Sequence, residues 1–238
     1  MKKPKLILVG AGPGAADLIT VRGANAISKA DVILYDALID LALLDYAAYS
    51  AEKIFVGKRV GTHYASQAEI NALIVAHALQ NKVVVRLKGG DPGIFGRMAE
   101  ELAAALQHDI DVEVVPGVSS VTGIPALMQI PLTQRGSSES IWITTGTTSK
   151  CELSADIDIA AQSSATVLIV MGMSRLQEIV DVFRKYRGNT HPICIVHKGS
   201  TAEEQVIIGT LGNIMSLYAE QPLSSPSLIL IGATKYLE

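Results

Sequence analysis

The first half of the chain alternates strand-length apolar runs with amphipathic stretches, and this alternation constrains the fold more than any other feature. "KLILVG" (Lys5–Gly10), "DVILYD" (Asp31–Asp36), "KVVVRLK" (Lys82–Lys88) and "VEVVPG" (Val112–Gly117) read as strands. "ADLITVRGANAISKA" (Ala16–Ala30), "SQAEINALIVAHALQ" (Ser66–Gln80) and "MAEELAAALQ" (Met98–Gln107) read as helices between them. Ser66 is a plausible N-cap, and Glu69 three residues on completes a capping box. Strands separated by helices imply βαβ units and a parallel sheet, with functional groups at the carboxyl ends of the strands.

The second half is more mixed. "SIWITTG", "ATVLIVMG", "HPICIVHKG", "EQVIIGTL" and "SLILIGA" are strand-like, and some follow each other with only a turn between. The expected architecture is two α/β domains, 1–115 and 116–238, with the boundary near Pro116. A chain of 238 residues, 49% of them hydrophobic, has enough apolar material for such cores.

Charge and composition exclude several classes. A formal net charge of −3 without a basic run argues against a general nucleic-acid surface. Met-Lys-Lys-Pro leads into a strand too short for a secretory core, and no apolar run approaches membrane-spanning length. The expectation is a cytoplasmic protein with no membrane partner. Cys151 and Cys194 have neither a paired framework nor C-x-x-C spacing, so reduced thiols are expected. The five histidines are scattered, and no metal site is expected.

Two glycine loops stand at predicted strand ends. "GAGPGA" (Gly10–Ala15) fits G-x-G-x-x-[G/A], and Asp36 ends the next strand, about 20 residues past the loop, where a ribose-binding acid would sit. A dinucleotide site and a structural turn both account for this pattern. "VRLKGGDPGIFGR" (Val85–Arg97) places Gly-Gly-Asp-Pro-Gly after a buried strand. Asp-Pro-Gly alone makes a tight turn, but two glycines before the acid also let a ligand approach the backbone.

These pieces occur in one order with "GKRVGTH", "QAEIN", "EVVPGVSSVTGIPALMQIPLTQR" and "VLIVMGM", and nearly the whole chain resembles the tetrapyrrole methylase family. The most specific pieces are the G-A-G-P-G loop with Leu18 and Thr20, Tyr35-Asp36, Gly57-Lys58-Arg59 and Leu87–Arg97. The resemblance implies two α/β domains with S-adenosylmethionine in the cleft between them, leaving S-adenosylhomocysteine as product. It also implies a homodimer. The implied reaction moves methyl groups from sulfur to pyrrole carbons of an anionic reduced tetrapyrrole bearing eight carboxylates, twice, in siroheme or cobalamin biosynthesis. Members that methylate other ring carbons later in cobalamin synthesis lack the Asp36 and Lys58-Arg59 context seen here. An NAD-dependent oxidoreductase is supported only by the glycine loop and Asp36.

By resemblance, Asp36 matches the proton acceptor and Lys58 the proton donor. Pro13, Gly89, Gly90, Asp91, Ile94, Ser119, Ser120, Met171 and Gly199 match cofactor contacts. Asp91 could offset the charge of the cofactor's ammonium or sulfonium. Arg59, Arg22 and Arg135, with Arg97, are candidates to hold substrate carboxylates, because the guanidinium fork matches them. The chain departs from the family pattern at several points. Ala15 and Ala16 replace Asp-Pro, Gly93 stands for an aromatic, Met98 for glycine and Gln134 for histidine. Thr147 stands where histidine is common, and Val170 where tyrosine often precedes Met-Gly.

Overall fold

The computed structural model describes residues 3–57, 65–80 and 82–232. The chain divides into two compact units, Met1–Ser120 and Val121–Glu238.

In the first unit five strands form one sheet: β1 (Lys5–Gly10), β2 (Val32–Tyr35), β3 (Glu52–Phe55), β4 (Val83–Lys88) and β5 (Asp111–Val115). Their order is β3-β2-β4-β1-β5, and every pairing is parallel. Successive side chains on a strand point to opposite faces, and both faces are apolar here. Ile7, Val9, Ile33, Val85 and Leu87 pack with α1 (Val21–Ser28) and a 3-10 turn at Leu41–Tyr46. Leu6, Leu8, Leu34 and Val84 pack with α2 (Gln67–Ala78) and α3 (Met98–Leu106). A sheet covered on both sides explains why its strands read as continuous apolar runs. Each such side chain contributes about 1.5–3 kcal/mol by leaving water.

Helix α2 starts where its cap residues predict. The Ser66 hydroxyl accepts from the Glu69 N–H at 3.2 Å, and Glu69 returns the bond to the Ser66 N–H at 2.6 Å. The stretch Ala16–Ala30 departs from expectation. It holds a 3-10 turn at Ala16–Leu18, extended Ile19 and Thr20, and only then α1. The cause is local: Thr20 is the N-cap, its hydroxyl accepting the Gly23 N–H at 3.0 Å, so the helix cannot begin earlier.

The second unit opens on α4 (Ser120–Leu127), which begins at the last residue of the first unit. It then holds β6 (Ile141–Thr145), α5 (Asp156–Gln162), β7 (Thr166–Val170), α6 (Leu176–Arg187), β8 (Pro192–His197), β9 (Gln205–Thr210), α7 (Ile214–Glu220) and β10 (Ser227–Ile231). Its sheet runs β6-β7-β10-β8-β9. Among the described residues β6 and β7 pair in parallel, and the β7–β10, β10–β8 and β8–β9 pairings are antiparallel. The largest core, on one face, joins Ile169, Ile195 and Ile229 to Ile179 and Phe183 of α6. On the other face Leu168, Cys194 and Leu230 meet Val121 and Ile124 of α4. Burial pushes the Cys194 thiol up to about 12, so it serves as an inert apolar side chain. Among the described residues no helix is long and apolar enough to cross a membrane.

Candidate active site

Because the first sheet is wholly parallel, the loops leaving β1, β2, β4 and β5 gather at one edge. Three of them meet through glycine. A Cβ on Gly10 would lie 2.5 Å from the Cα of Gly117 and 2.7 Å from the Gly90 carbonyl oxygen. Gly12 and Gly90 exchange backbone hydrogen bonds, 3.3 Å from Gly12 N–H and 2.6 Å from Gly90 N–H. Asp91 ties the loops together: Oδ1 accepts the Gly93 N–H at 2.8 Å and Oδ2 the Gly117 N–H at 3.0 Å. Part of the glycine signature therefore serves strand-end packing. Gly89 belongs to that part, since a Cβ there would sit 2.7 Å from Cβ of Leu38. Gly90 differs. It adopts φ +68°, and a Cβ would meet nothing nearer than Ser120 N at 3.8 Å and Ser119 Cα at 3.9 Å.

The first glycine loop does not build a dinucleotide site. In that arrangement the loop opens directly into a helix whose N-terminus faces the pyrophosphate. Here the 3-10 turn and extended Ile19-Thr20 intervene before Val21, and the Thr20 hydroxyl occupies an N-terminal N–H of α1.

Asp36 follows β2 at the same edge. Its Oδ1 accepts the Leu38 N–H at 3.1 Å, and its Oδ2 lies 3.4 Å from Nη2 of Arg86; the side chain is 23% exposed. Arg86 opens onto a buried charge cluster. Arg86 and Lys88 are each 4% exposed and Glu101 is 0% exposed. Arg86 Nε donates to Glu101 Oε1 at 3.1 Å, and Lys88 Nζ reaches both Glu101 oxygens at 2.9 and 2.8 Å. Burial, reinforced by the neighbouring Arg86, pushes the Lys88 ammonium below its usual range, and Glu101 opposes that shift. The sequence reading missed these three residues. The available signal was Arg and Lys at alternate positions of a strand buried on both faces.

In the second unit, β7 and β8 both pair antiparallel to β10, so they run parallel and their carboxyl ends share an edge. Met171 and Gly199 stand there. Met171 holds φ +53° and is 52% exposed. Its carbonyl accepts the Thr147 hydroxyl at 2.5 Å. Behind it Gly146 and Gly172 are in backbone contact, a Cβ on Gly146 lying 2.4 Å from Gly172 Cα. Gly199 is buried against Ile124, whose Cδ1 would lie 2.7 Å from a Cβ, and it is flanked by left-handed Lys198 (φ +45°) and Ser200 (φ +68°). A non-glycine residue in this backbone region carries strain, which concentrates at functional loops.

Of the other candidates, Pro13 is half-buried, Ile94 is 41% exposed, Ser119 is buried and Ser120 begins α4. Arg22 on α1 and Arg135 are exposed, and among the described residues neither forms an ion pair. Arg97 donates to Glu100 from Nε at 2.8 Å and from Nη2 at 2.7 Å, on an exposed side chain. Lys58 and Arg59 lie outside the described residues. At two departures from the family pattern, a Cβ on Gly93 would meet Asp91 Oδ1 at 3.1 Å, with the Met98 methyl 3.8 Å away. Gln134 is exposed, and its backbone N–H bonds the Ser138 carbonyl at 2.8 Å.

This glycine-bound parallel edge, with an acid beside it, sits in a chain whose residues 5–215 match the Tetrapyrrole (Corrin/Porphyrin) Methylases; the chain belongs to that family. It is 40% identical over 230 residues to the uroporphyrinogen-III C-methyltransferase of Methanocaldococcus jannaschii, covering 96% of this chain and 95% of that one. It is 39% identical over 236 residues to the S-adenosyl-L-methionine-dependent uroporphyrinogen III methyltransferase of Methanosarcina barkeri, covering 98% and 92%. Among solved structures, the uroporphyrin-III C-methyltransferase of Thermus thermophilus complexed with S-adenosylhomocysteine superposes with a TM-score of 0.81 at 34% identity, covering 96% of this chain and 92% of that one. The α/β expectation and the family resemblance are both borne out, and the oxidoreductase alternative is set aside.

Proposed function

We propose that the chain is an S-adenosylmethionine-dependent C-methyltransferase that converts uroporphyrinogen III to precorrin-2 by two methyl transfers. The observation that carries the catalytic reading is the placement of Asp36. It stands at the functional edge of the parallel sheet, with one carboxylate oxygen fixed by a backbone N–H and the other in a single 3.4 Å contact with Arg86.

The first unit fits the cofactor. Gly90 presents bare backbone in a left-handed turn with open space on its Cβ side, beside Ser119 and Ser120. Asp91 holds that turn through two N–H groups, and its remaining lone pairs and negative charge suit a cationic ligand. Pro13, Gly89 and Ile94 are the further contacts proposed there.

When bound, S-adenosylmethionine supplies a methyl group already activated on its sulfonium, so the chain's work is alignment and proton management. Attack by the pyrrole carbon leaves the ring cationic until it loses a proton, and Asp36 accepts that proton. Lys58 is the proposed proton donor. Arg59, Arg22 and Arg135 are the proposed carboxylate contacts, two of them exposed and uncommitted among the described residues.

The test is Asp36→Asn, which keeps size and removes the basic oxygen. S-adenosylhomocysteine affinity stays near the parent's while turnover falls by roughly 10²–10⁴. A large loss of affinity with parental turnover at saturation would overturn the assignment. The reading also includes a cytoplasmic homodimer; sedimentation giving a monomer at micromolar concentration would remove the dimer from it.

A further inference from the structure

We infer that Glu101 is a positioning residue for Asp36: it occupies two buried cations that would otherwise capture the proton-accepting carboxylate. The inference rests on the reading of Asp36 given above.

The geometry is unequal by construction. Arg86 and Lys88 lie two residues apart on β4, so both side chains leave the same face of the sheet, the face covered by α2 and α3. Glu101 on α3 takes most of their donors: Arg86 Nε at 3.1 Å and Lys88 Nζ at 2.9 and 2.8 Å, with Gln67 Nε2 adding a bond at 3.3 Å. Arg86 Nη1 is spent on the Leu87 carbonyl at 2.9 Å and the Leu34 carbonyl at 3.4 Å. Only Nη2 is left to Asp36, at 3.4 Å. Glu101 has no solvent access, whereas the Asp36 side chain keeps 23%.

Such a cluster is a poor way to gain stability, because desolvating charges costs as much as pairing them returns. The same face is otherwise filled by Leu6, Leu8, Leu34 and Ile74, and apolar residues could complete it. The unequal sharing gives the cluster a use. A carboxylate gripped by two desolvated cations is a weak base. With Glu101 satisfying both, Asp36 keeps one long cation contact on Oδ2 and the Leu38 N–H on Oδ1, which leaves lone pairs for the substrate's proton. The Arg97–Glu100 pair stands at the exposed start of α3, and its charges couple to the cluster: Arg97 to Glu101 and Glu100 to Lys88. Asp36 is already in contact with Arg86, and its charge also acts on Lys88, so both buried cations bear on it if Glu101 loses its charge.

Glu101→Gln keeps the shape and removes that charge. The expected result is S-adenosylhomocysteine affinity within about threefold of the parent, turnover about tenfold lower, and the acid limb of the turnover–pH profile moved down by about one unit. Two unpaired buried cations can prevent folding, so the double variant Lys88→Met with Glu101→Gln removes one cation together with the anion. It leaves Arg86 to Asp36, and the same downward shift is expected. A merely structural role would lower stability without moving the acid limb. A slow Asp36→Asn beside folded Glu101 variants whose turnover and acid limb equal the parent's would overturn this inference alone. An Asp36→Asn as fast as the parent would remove the reading of Asp36 and this inference with it.

Discussion

The contact of Gly10, Gly90 and Gly117 makes a quantitative prediction about which glycines pack and which face a ligand. Gly10→Ala inserts a methyl 2.5 Å from Gly117 Cα, 2.6 Å from its N and 2.7 Å from the Gly90 carbonyl oxygen. These neighbours are backbone, not flexible side-chain ends. Ordinary carbon contacts need about 3.5 Å, so the β1, β4 and β5 loops must part by about 1 Å. That movement strains the Gly12–Gly90 pair and the Asp91–Gly117 bond. Overpacking costs about 1–3 kcal/mol, and a bond to an ionised acceptor about 1.5–3 kcal/mol. The expected loss is about 3–5 kcal/mol, a large share of a typical domain's stability. Gly90→Ala is the contrast. Its methyl enters open space, so the cost is the left-handed backbone alone, about 1–2 kcal/mol. That methyl faces the space beside Ser119 and Ser120, so S-adenosylhomocysteine affinity falls. Urea unfolding and isothermal titration on both variants give the readout. Gly10→Ala within about 1 kcal/mol of the parent would refute the packing argument.

Three further outcomes follow from the geometry. Thr147→Val removes the hydroxyl that fixes the Met171 carbonyl; S-adenosylhomocysteine titration is expected to show about a fivefold loss that Thr147→Ser restores, and parental affinity in Thr147→Val would contradict it. His191 is held neutral by burial and by Arg187, its pKa lowered to about 4. Between that value and about 6.5 the unfolded chain takes a proton the folded chain refuses, so stability falls as pH drops; from pH 7 to 5 the loss is at most about 2 kcal/mol, reduced by solvent screening at this half-buried ring, and His191→Gln removes that part of the slope in urea titrations. Lys58→Met is expected to slow turnover while leaving S-adenosylhomocysteine affinity near the parent's, and parental turnover would remove Lys58 from the proton-donor role.

Much of the first unit was legible because its strands are buried on both faces and its helices are capped by residues whose chemistry is local. Ser66 and Glu69 are the clearest case: a four-residue pattern sets where α2 begins. The start of α1 was misplaced for the same kind of reason, because Thr20 is a better cap than anything nearer Ala16. The second sheet was harder, since β10 reaches its place between β7 and β8 only through antiparallel pairings that no local pattern announces. At the site, glycine spacing could not tell packing from ligand approach. That distinction lies in contacts across loops far apart in sequence, such as Gly10 against Gly117. Thr147 departs from the family's histidine, and its hydroxyl donates to the Met171 carbonyl, a partner that lies on a different strand end. Glu101 read as one acid of a helical stretch, and its meaning depends on Arg86 and Lys88 a strand away.

The most direct test of the central claim is methyl transfer itself. The parent protein, incubated with uroporphyrinogen III and isotope-labelled S-adenosylmethionine, is followed by mass spectrometry, with Asp36→Asn run beside it. The account predicts a product carrying two labelled methyl groups on carbon from the parent, and the same product formed roughly 10²–10⁴ times more slowly by Asp36→Asn. Absence of labelled product from a folded parent that binds S-adenosylhomocysteine would contradict the assigned activity.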